Sequence, residues 1–126
     1  MSVLDILKEV MSDVDVGIET DYMLLDSENF QYFAFVDYKE GYEAACNEAV
    51  INACAHSVVL VRVPDGEDAA AVAKDIEANA NPRKWVCVEA EETKVVQNGN
   101  LVLLVMSYDD TTPAVVNSFN EFCKNA

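Results

Sequence analysis

The residue types best suited to chemistry lie in one short stretch, Cys46–His56 (CNEAVINACAH), which holds two of the four cysteines and the single histidine. Zinc binds thiolate and imidazole, and a Cys–His pair can also supply a nucleophile and its base. On a helix, Cys46 and Cys54 would lie about 12 Å apart along the axis, and Cys54 and His56 would point roughly 200° apart. On an extended chain, Cys54 and His56 would share one face. A helical conformation therefore excludes binding of one ion by these residues, whereas an extended conformation allows Cys54 and His56 to bind the same ion.

A zinc site in the extended case needs a third ligand, which folding would have to bring from Cys87 or Cys123. The spacings that identify zinc sites in a sequence, C-x₂-C and H-x₃-H, are absent. Free cysteine is commonly buried as a small hydrophobe. We therefore predict no metal and no cofactor, packed cysteines, and Cys54 and His56 as weak ligand candidates only. Four cysteines fit either free thiols or two disulfides.

A second candidate is the acidic group Glu89, Glu91 and Glu92, of which Glu89 and Glu91 would share one face of a strand. Paired carboxylates serve as general acid and base or bind a hard cation. Three basic residues flank the group: Arg83, Lys84 and Lys94. The interpretation that we favour is a solvated edge of mixed charge.

The only basic and aromatic patch is Arg83-Lys84-Trp85, which follows Asn81-Pro82. A cation beside an indole can form a cation–π contact and can dock an anionic group. Together with Glu89 and Glu91, these three residues are the candidate interaction surface.

Motifs of known catalytic or nucleotide-binding loops are missing. The chain contains no G-x-S-x-G, no P-loop and no G-x-G-x-x-G, and it has four glycines in all. We predict no catalytic residues and expect that the protein is not an enzyme.

Composition describes one folded domain, residues 1–126, with 52% hydrophobic residues. The 23 Asp and Glu outweigh the 8 Lys and Arg and give a net charge of −15, which repels nucleic acid and anionic lipid headgroups. The longest apolar runs are strand-sized, and the first residues, MSVLDILKEV, show no export signal. We expect no nucleic-acid partner and no insertion into a membrane.

Three helices are predicted from apolar spacing. The first runs over Val3–Val14 after Ser2 as N-cap, and the second over Glu67–Ala80. The third covers residues 113–124, with Thr111 and Thr112 as its cap and Pro113 at its first position.

Strands are predicted where β-branched and aromatic residues run together. Phe30–Val36 and Ser57–Val63 are two of them. Thr93–Gln97 and Asn100–Ser107 flank Asn98-Gly99, which favours a type I′ hairpin.

The strand Leu101–Met106 is apolar on both faces, so something must cover each face. The helices at 67–80 and 113–124 can cover one face; the first helix, the aromatic segment or a second copy of the chain must cover the other. We predict an α+β domain, with helices on a mainly antiparallel sheet, and leave a homodimer open.

Residues 22–42 carry seven of the eleven aromatic residues. Such density suits either an exposed recognition patch or a lid on the core. We favour the lid, because large aromatics are mostly buried.

The order of elements from His56 to Phe122, with the hairpin VVQNGNLVLLVMS, resembles an uncharacterised family of small domains in Gram-positive bacteria, domain of unknown function 4358. Its members are often cell-envelope lipoproteins, so the resemblance implies an extracytoplasmic location. It brings no catalytic residues. This chain departs from the family in two ways. It has no lipoprotein cysteine near its start, and its residues 85–92 are predicted to be extended where the family would have a looser or helical segment.

These observations favour a small non-catalytic interaction or structural domain, with a protein partner or a second copy of the chain as ligand. The alternative is a small-molecule or metal-binding protein that uses Cys54 and His56, or the edge from Glu89 to Glu92.

Overall fold

The computed structural model describes residues 1–51 and 53–125, so Asn52, inside the cysteine-rich stretch, and Ala126 lie outside the described residues. The fold is α+β, as predicted. Five strands form one antiparallel sheet: β1 (Thr20–Leu25), β2 (Glu43–Ala49), β3 (Ser57–Arg62), β4 (Glu92–Asn98) and β5 (Leu101–Ser107). Four helices accompany it: α1 (Val3–Met11), α2 (Phe30–Ala34), α3 (Ala69–Asn79) and α4 (Thr111–Asn125).

The strand order is β1-β2-β3-β5-β4, so β3 and β5 are central and β1 and β4 form the two edges. The central pair is in register from Ser57 opposite Met106 to Arg62 opposite Leu101. Every residue of β5 after Leu101 is buried. The prediction that this strand is covered on both faces is confirmed.

Each face of the sheet has its own core. Leu60, Leu103 and Val105 pack with α1 and α4 on one face. Val59 and Leu104 pack with α2 and α3 on the other. The expectation that the helices at 67–80 and 113–124 share a face is wrong, because periodicity defines the inner side of a helix but not the face of the sheet that it covers.

Helices α1 and α3 each begin directly after a residue whose side chain caps the helix. The Ser2 hydroxyl accepts a hydrogen bond from the Asp5 amide at 3.1 Å, which confirms Ser2 as the N-cap of α1. The Asp68 carboxylate caps α3 by accepting from the Ala71 amide at 3.2 Å. Both helices are present and shorter than predicted by one to three residues at one or both ends.

The segment Phe30–Val36 is not a strand, contrary to its aromatic content. It forms the short helix α2, which ends at Phe35 in the left-handed region (φ 67°). Phe30 is completely buried and packs edge-on against Tyr38, with ring centroids 5.7 Å apart. Burial of one aromatic side chain on the sheet outweighs the intrinsic strand preference of the segment.

The type of the β4–β5 turn and the start of α4 also differ from prediction. The turn between β4 and β5 consists of Gly99 and Asn100, and only Gly99 has a positive φ (57°), so the predicted type I′ turn is wrong and the pattern matches type II′. Helix α4 begins at Thr111, so Thr111 and Thr112 are its first two residues and not its cap, and Pro113 is its third residue and not its first. The missing proline amide still falls in the first turn, where it removes no helical hydrogen bond.

The aromatic segment divides between the two expected roles. Phe30 and Tyr42 are buried in the core, as a lid requires, whereas Tyr32 is 63% exposed. Among the described residues, no helix has the length and apolar character needed to cross a bilayer.

We expect Leu104→Ala to lower the free energy of unfolding by about 3 kcal/mol, because it opens a cavity in a core covered on both sides. Leu24→Ala is the matched control; Leu24 is 59% exposed on β1, and its loss should change stability by less than about 0.5 kcal/mol. Urea unfolding at pH 7 measures both, and equal losses would contradict the two-sided core.

Candidate functional site

The described residues of the stretch Cys46–His56 belong to the β2–β3 hairpin and form neither a helix nor a single extended segment. Cys46 lies in β2, which runs to Ala49, and the chain turns before β3 begins at Ser57. Because successive strand residues point to opposite faces, Asn47 and Glu48 lie on opposite sides of the sheet. The polar residues at this end therefore form two separate groups.

On the face of α1 and α4, His56 is completely buried and both of its ring nitrogens are engaged. Nδ1 lies 2.7 Å from the Ser107 hydroxyl and Nε2 lies 2.7 Å from the Asn47 side-chain oxygen. The Asn47 side-chain amide donates to the Thr20 hydroxyl at 3.1 Å. This chain of bonds assigns a neutral ring, which donates from Nε2 to Asn47 and accepts at Nδ1 from Ser107.

Burial, with a smaller contribution from the positive charge of Lys84, lowers the pKa of His56 to about 4. The ring is therefore neutral at pH 7. With both nitrogens hydrogen-bonded to protein, no lone pair faces a ligand. Within the described parts of the chain, no group of three or more His, Cys, Asp or Glu is placed to hold a metal ion.

The four cysteines differ in exposure: Cys46 is buried, Cys54 and Cys123 are half-buried, and Cys87 is exposed. All four are free thiols. Cys54 faces the Tyr108 hydroxyl, whose pKa is raised first by burial and then by its hydrogen bond with Cys54. Cys46 is fully buried, and burial followed by the Glu48 charge raises its pKa to about 12. Cys46 is packed, as predicted, and its thiol is not an accessible nucleophile at neutral pH.

On the face of α2 and α3, a buried ion pair joins β2 to the loop after α3. The Lys84 ammonium donates to the Glu48 carboxylate at 2.8 Å and to the Ser57 hydroxyl at 3.3 Å. Ser57 itself donates to Glu48. The exposed fractions of the two charged side chains are 6% for Lys84 and 19% for Glu48. Burial raises the pKa of Glu48, and the charge and hydrogen bond of Lys84 oppose that rise.

Three aromatic rings enclose the Lys84 ammonium. Its nitrogen lies 4.8 Å from the ring centroid of Phe33, 5.0 Å from that of Trp85 and 5.5 Å from that of Tyr32. These distances are within the range of cation–π attraction, which strengthens when the cation is desolvated. The rings and Glu48 together hold Lys84 in one position.

An open cleft of about 350 Å³ lies beside this ion pair, and we call it the aromatic cleft. Strand β1 supplies Asp21, Tyr22 and Met23, while α2 and the loop after α3 supply the rings. Its complete lining is Asp21, Tyr22, Met23, Tyr32, Phe33, Glu48, Ala49, Lys84 and Trp85.

The direction of the hydrogen bonds defines what the ion pair can do. A serine nucleophile needs a neighbouring base that takes its proton. Here Lys84 donates to Ser57, the Ser57 proton points to Glu48, and Ser57 is completely buried. Glu48 is placed to take the Ser57 proton, but the complete burial of Ser57 keeps a substrate away from its hydroxyl, so the arrangement suits a wall that orders the cleft.

The predicted interaction residues divide between several places. Lys84 and Trp85 both line the aromatic cleft. Arg83 instead pairs with Glu89 at 3.6 Å in solvent, and Glu91 accepts from the Asp109 amide at 2.9 Å. Strand β4 begins only at Glu92, so Glu89 and Glu91 precede the strand and do not form a carboxylate pair on one of its faces.

Sequence reasoning missed Glu48, Ser57, Tyr32 and Phe33 as members of the site. One signal was present: Asn47 and Glu48 are polar residues that follow the small apolar run Ala44-Ala45-Cys46, as happens where a buried strand reaches the end of a sheet. The partners of Glu48 are nine and 36 residues away, at Ser57 and Lys84, and no local spacing records such contacts.

Comparison of the chain with protein-family models, with curated proteins and with solved structures finds no match.

We expect Lys84→Met to lower the free energy of unfolding by about 3 kcal/mol, because it leaves the Glu48 charge buried without its partner. The double variant Glu48→Gln with Lys84→Met should recover most of that loss, since neither charge remains. Urea unfolding of the two single variants and the double variant gives the coupling. Strictly additive losses would show that the two side chains do not interact.

Stability should fall as the pH is lowered from about 6.5 to about 4, because unfolding lets His56 bind a proton that its folded pKa of about 4 excludes. Because folding lowers the pKa of His56, the stabilisation is complete above the pKa of the unfolded chain and is lost on acidification. Between those limits the contribution amounts to about 3 kcal/mol. His56→Gln is the control, and urea unfolding over this pH range should show a shallower decline for the variant; identical slopes would contradict the assignment.

Proposed function

We propose that the protein is a small non-catalytic interaction domain that binds a partner protein at the aromatic cleft. The observation that carries this proposal is the grouping of exposed apolar side chains there. Met23 and Tyr32 line the cleft and are 40% and 63% exposed, and Val86, next to Trp85, is 83% exposed. Grouped exposed apolar surface is typical of a binding site, whereas single exposed residues are not.

The cleft is also ordered in advance of binding, which supports the same proposal. The Lys84–Glu48 pair is neutralised internally, so a ligand need not supply a charge to enter. The five contacts of Lys84, with three rings, Glu48 and Ser57, restrict the side chains that a partner would otherwise have to order. Val86 has a left-handed backbone (φ 70°), which is strained for a β-branched residue and is a feature common at binding sites.

Tyr and Trp favour protein interfaces over other surfaces, because they present large rigid area at low cost in conformational entropy. This supports a protein ligand over the alternative of a metal or small molecule bound through Cys54 and His56. The resemblance of residues 56–122 to an envelope-protein family is the basis for proposing the cell envelope as the setting.

The proposal is tested by selecting binders from a displayed library of random twelve-residue peptides and then measuring their binding by fluorescence. Trp85 is the only tryptophan of the chain, so its emission reports on the cleft. We expect selected peptides to shift the Trp85 emission saturably and to bind Tyr32→Ala at least tenfold more weakly. Tyr38→Ala is the matched control, since Tyr38 packs on Phe30 outside the cleft, and its affinity should equal that of the wild type. Peptides that bind without moving the Trp85 emission, or that bind Tyr32→Ala as tightly as Tyr38→Ala, would refute the proposed site.

A further inference from the structure

We propose that the partner is an extended basic segment of another protein, which adds as a sixth strand along the free edge of β1 and inserts one apolar side chain into the aromatic cleft. This inference rests on the proposed function and names the class of ligand. Strand addition supplies affinity through backbone hydrogen bonds and selectivity through pockets for alternate side chains.

The register of β1 shows which backbone groups face outward. The Val50 amide donates to the Glu19 carbonyl at 3.1 Å, one step before the paired residues Thr20 and Ala49. In an antiparallel pair, hydrogen-bonded and non-hydrogen-bonded positions alternate. Asp21 and Met23 therefore bond to β2, while the N–H and C=O groups of Tyr22 and Leu24 point away from the sheet.

These outward groups differ in their readiness to pair. The Tyr22 amide is occupied by the carboxylate of its neighbour Asp21, at 3.2 Å. Leu24 is 59% exposed and its amide is directed to the same open side. A partner strand would displace the Asp21 contact and pair with both residues. The local contact explains how an open edge is protected in the free protein.

The other edge of the sheet is protected differently. Strand β4 carries the exposed Lys94 at its middle, a residue type that blocks edge-to-edge pairing, and it packs beside α3 and α4. No lysine occurs in β1. Of the two edges, β1 is the one suited to strand addition.

The cleft lies where an added strand would place a side chain. Met23 pairs with Cys46, so it points to the face of α2 and α3, where Tyr32 and Trp85 stand. Adjacent strands are about 4.8 Å apart, and directly opposite residues share a face. An apolar residue of the partner opposite Met23 would therefore lie at the entrance of the aromatic cleft.

The charge around β1 determines the sign of the partner. Residues 9–38 contain eight acids and no Lys or Arg. Two lysines from outside this range lie near β1: Lys8, 5.6 Å from the ring centroid of Tyr22, and Lys84, whose charge is paired with Glu48. The acids are Glu9, Asp13, Asp15, Glu19, Asp21, Asp26, Glu28 and Asp37. Basic residues at the solvated positions of the incoming strand complement this field and speed association. A second copy of the chain would instead bring two copies of this acidic segment together, of which Asp21 lies in β1 itself, and like-charge repulsion disfavours that pairing.

The probe is the blocked peptide acetyl-Lys-Ile-Lys-Phe-Lys-Ile-Lys-amide, followed by Trp85 emission at low salt. Leu24→Pro removes one outward amide and spares the ladder to β2, a position where an edge strand tolerates proline. Leu24→Thr is the matched control that keeps the amide. We expect wild type and Leu24→Thr to bind equally and Leu24→Pro to bind at least tenfold more weakly, with affinity that falls as salt is added.

Peptide N-methylation supplies a second measurement that does not depend on the folding of Leu24→Pro. Alternate residues of a strand direct their amides to opposite edges, so methylating the amides of one parity should abolish binding and methylating the other parity should be tolerated. Equal effects of both parities, or equal binding by the two Leu24 variants, would overturn strand addition. If Tyr32→Ala still weakened library peptides in that case, the proposed cleft would stand while this inference failed.

Two further results would overturn the identity of the partner. Equal affinity for the same peptide with Glu in place of Lys would remove the requirement for a basic segment. Sedimentation that shows a wild-type dimer and a Leu24→Pro monomer, both without peptide, would assign the β1 edge to a second copy of the chain.

Discussion

The structure depends on the central strand pair, β3 and β5, being apolar on both faces. Leu60 and Leu103 point to one side of the sheet, and Val59 and Leu104 point to the other. Burial of such side chains is the main favourable contribution to folding, at about 25 cal/mol per Å² of apolar surface. A sheet covered on one side only would leave half of this surface in water. The helices must therefore divide between the faces, and their division sets the positions of all remaining elements.

Because both faces are covered, polar groups at the end of the sheet lose their water, and leaving them without hydrogen bonds would destabilise the fold. Two separate sets of side chains supply these hydrogen bonds. His56, Asn47, Ser107 and Thr20 satisfy one another on the face of α1 and α4, and the Lys84–Glu48 pair with Ser57 forms on the other. No buried side-chain nitrogen or oxygen among the described residues lacks a hydrogen bond. His56, which suggested chemistry in the sequence, belongs to the first of these sets, whereas Cys46 is part of the apolar core.

The sequence predicted the helices and strands that are determined by local patterns of apolar residues. Alternation and helical spacing located α1, α3, β3 and the β4–β5 hairpin, because their apolar positions repeat with the period of the element. It failed at Phe30–Val36, where the content of aromatic residues favoured a strand and tertiary packing of Phe30 determined a helix. Of the site, it found Lys84 and Trp85 as a basic and aromatic patch. Their partners Glu48 and Ser57 come from distant strands, and only the pairing of the strands places them.

The position of the aromatic cleft follows from the dimensions of the layers. A helix with its side chains is about 10 Å across and strands lie about 4.8 Å apart, so two helices side by side cover roughly four strands. The sheet has five strands, and α2 is only five residues long. The coverage on the α2 and α3 face is therefore incomplete at an edge, and the loop that carries Lys84 and Trp85 reaches only part of the gap. What remains open is the outer side of β1 with the cleft next to it. The shortfall in cover thus places the ordered aromatic cleft beside β1, which is an edge strand of the sheet, and this adjacency is why we assign the edge and the cleft to one ligand.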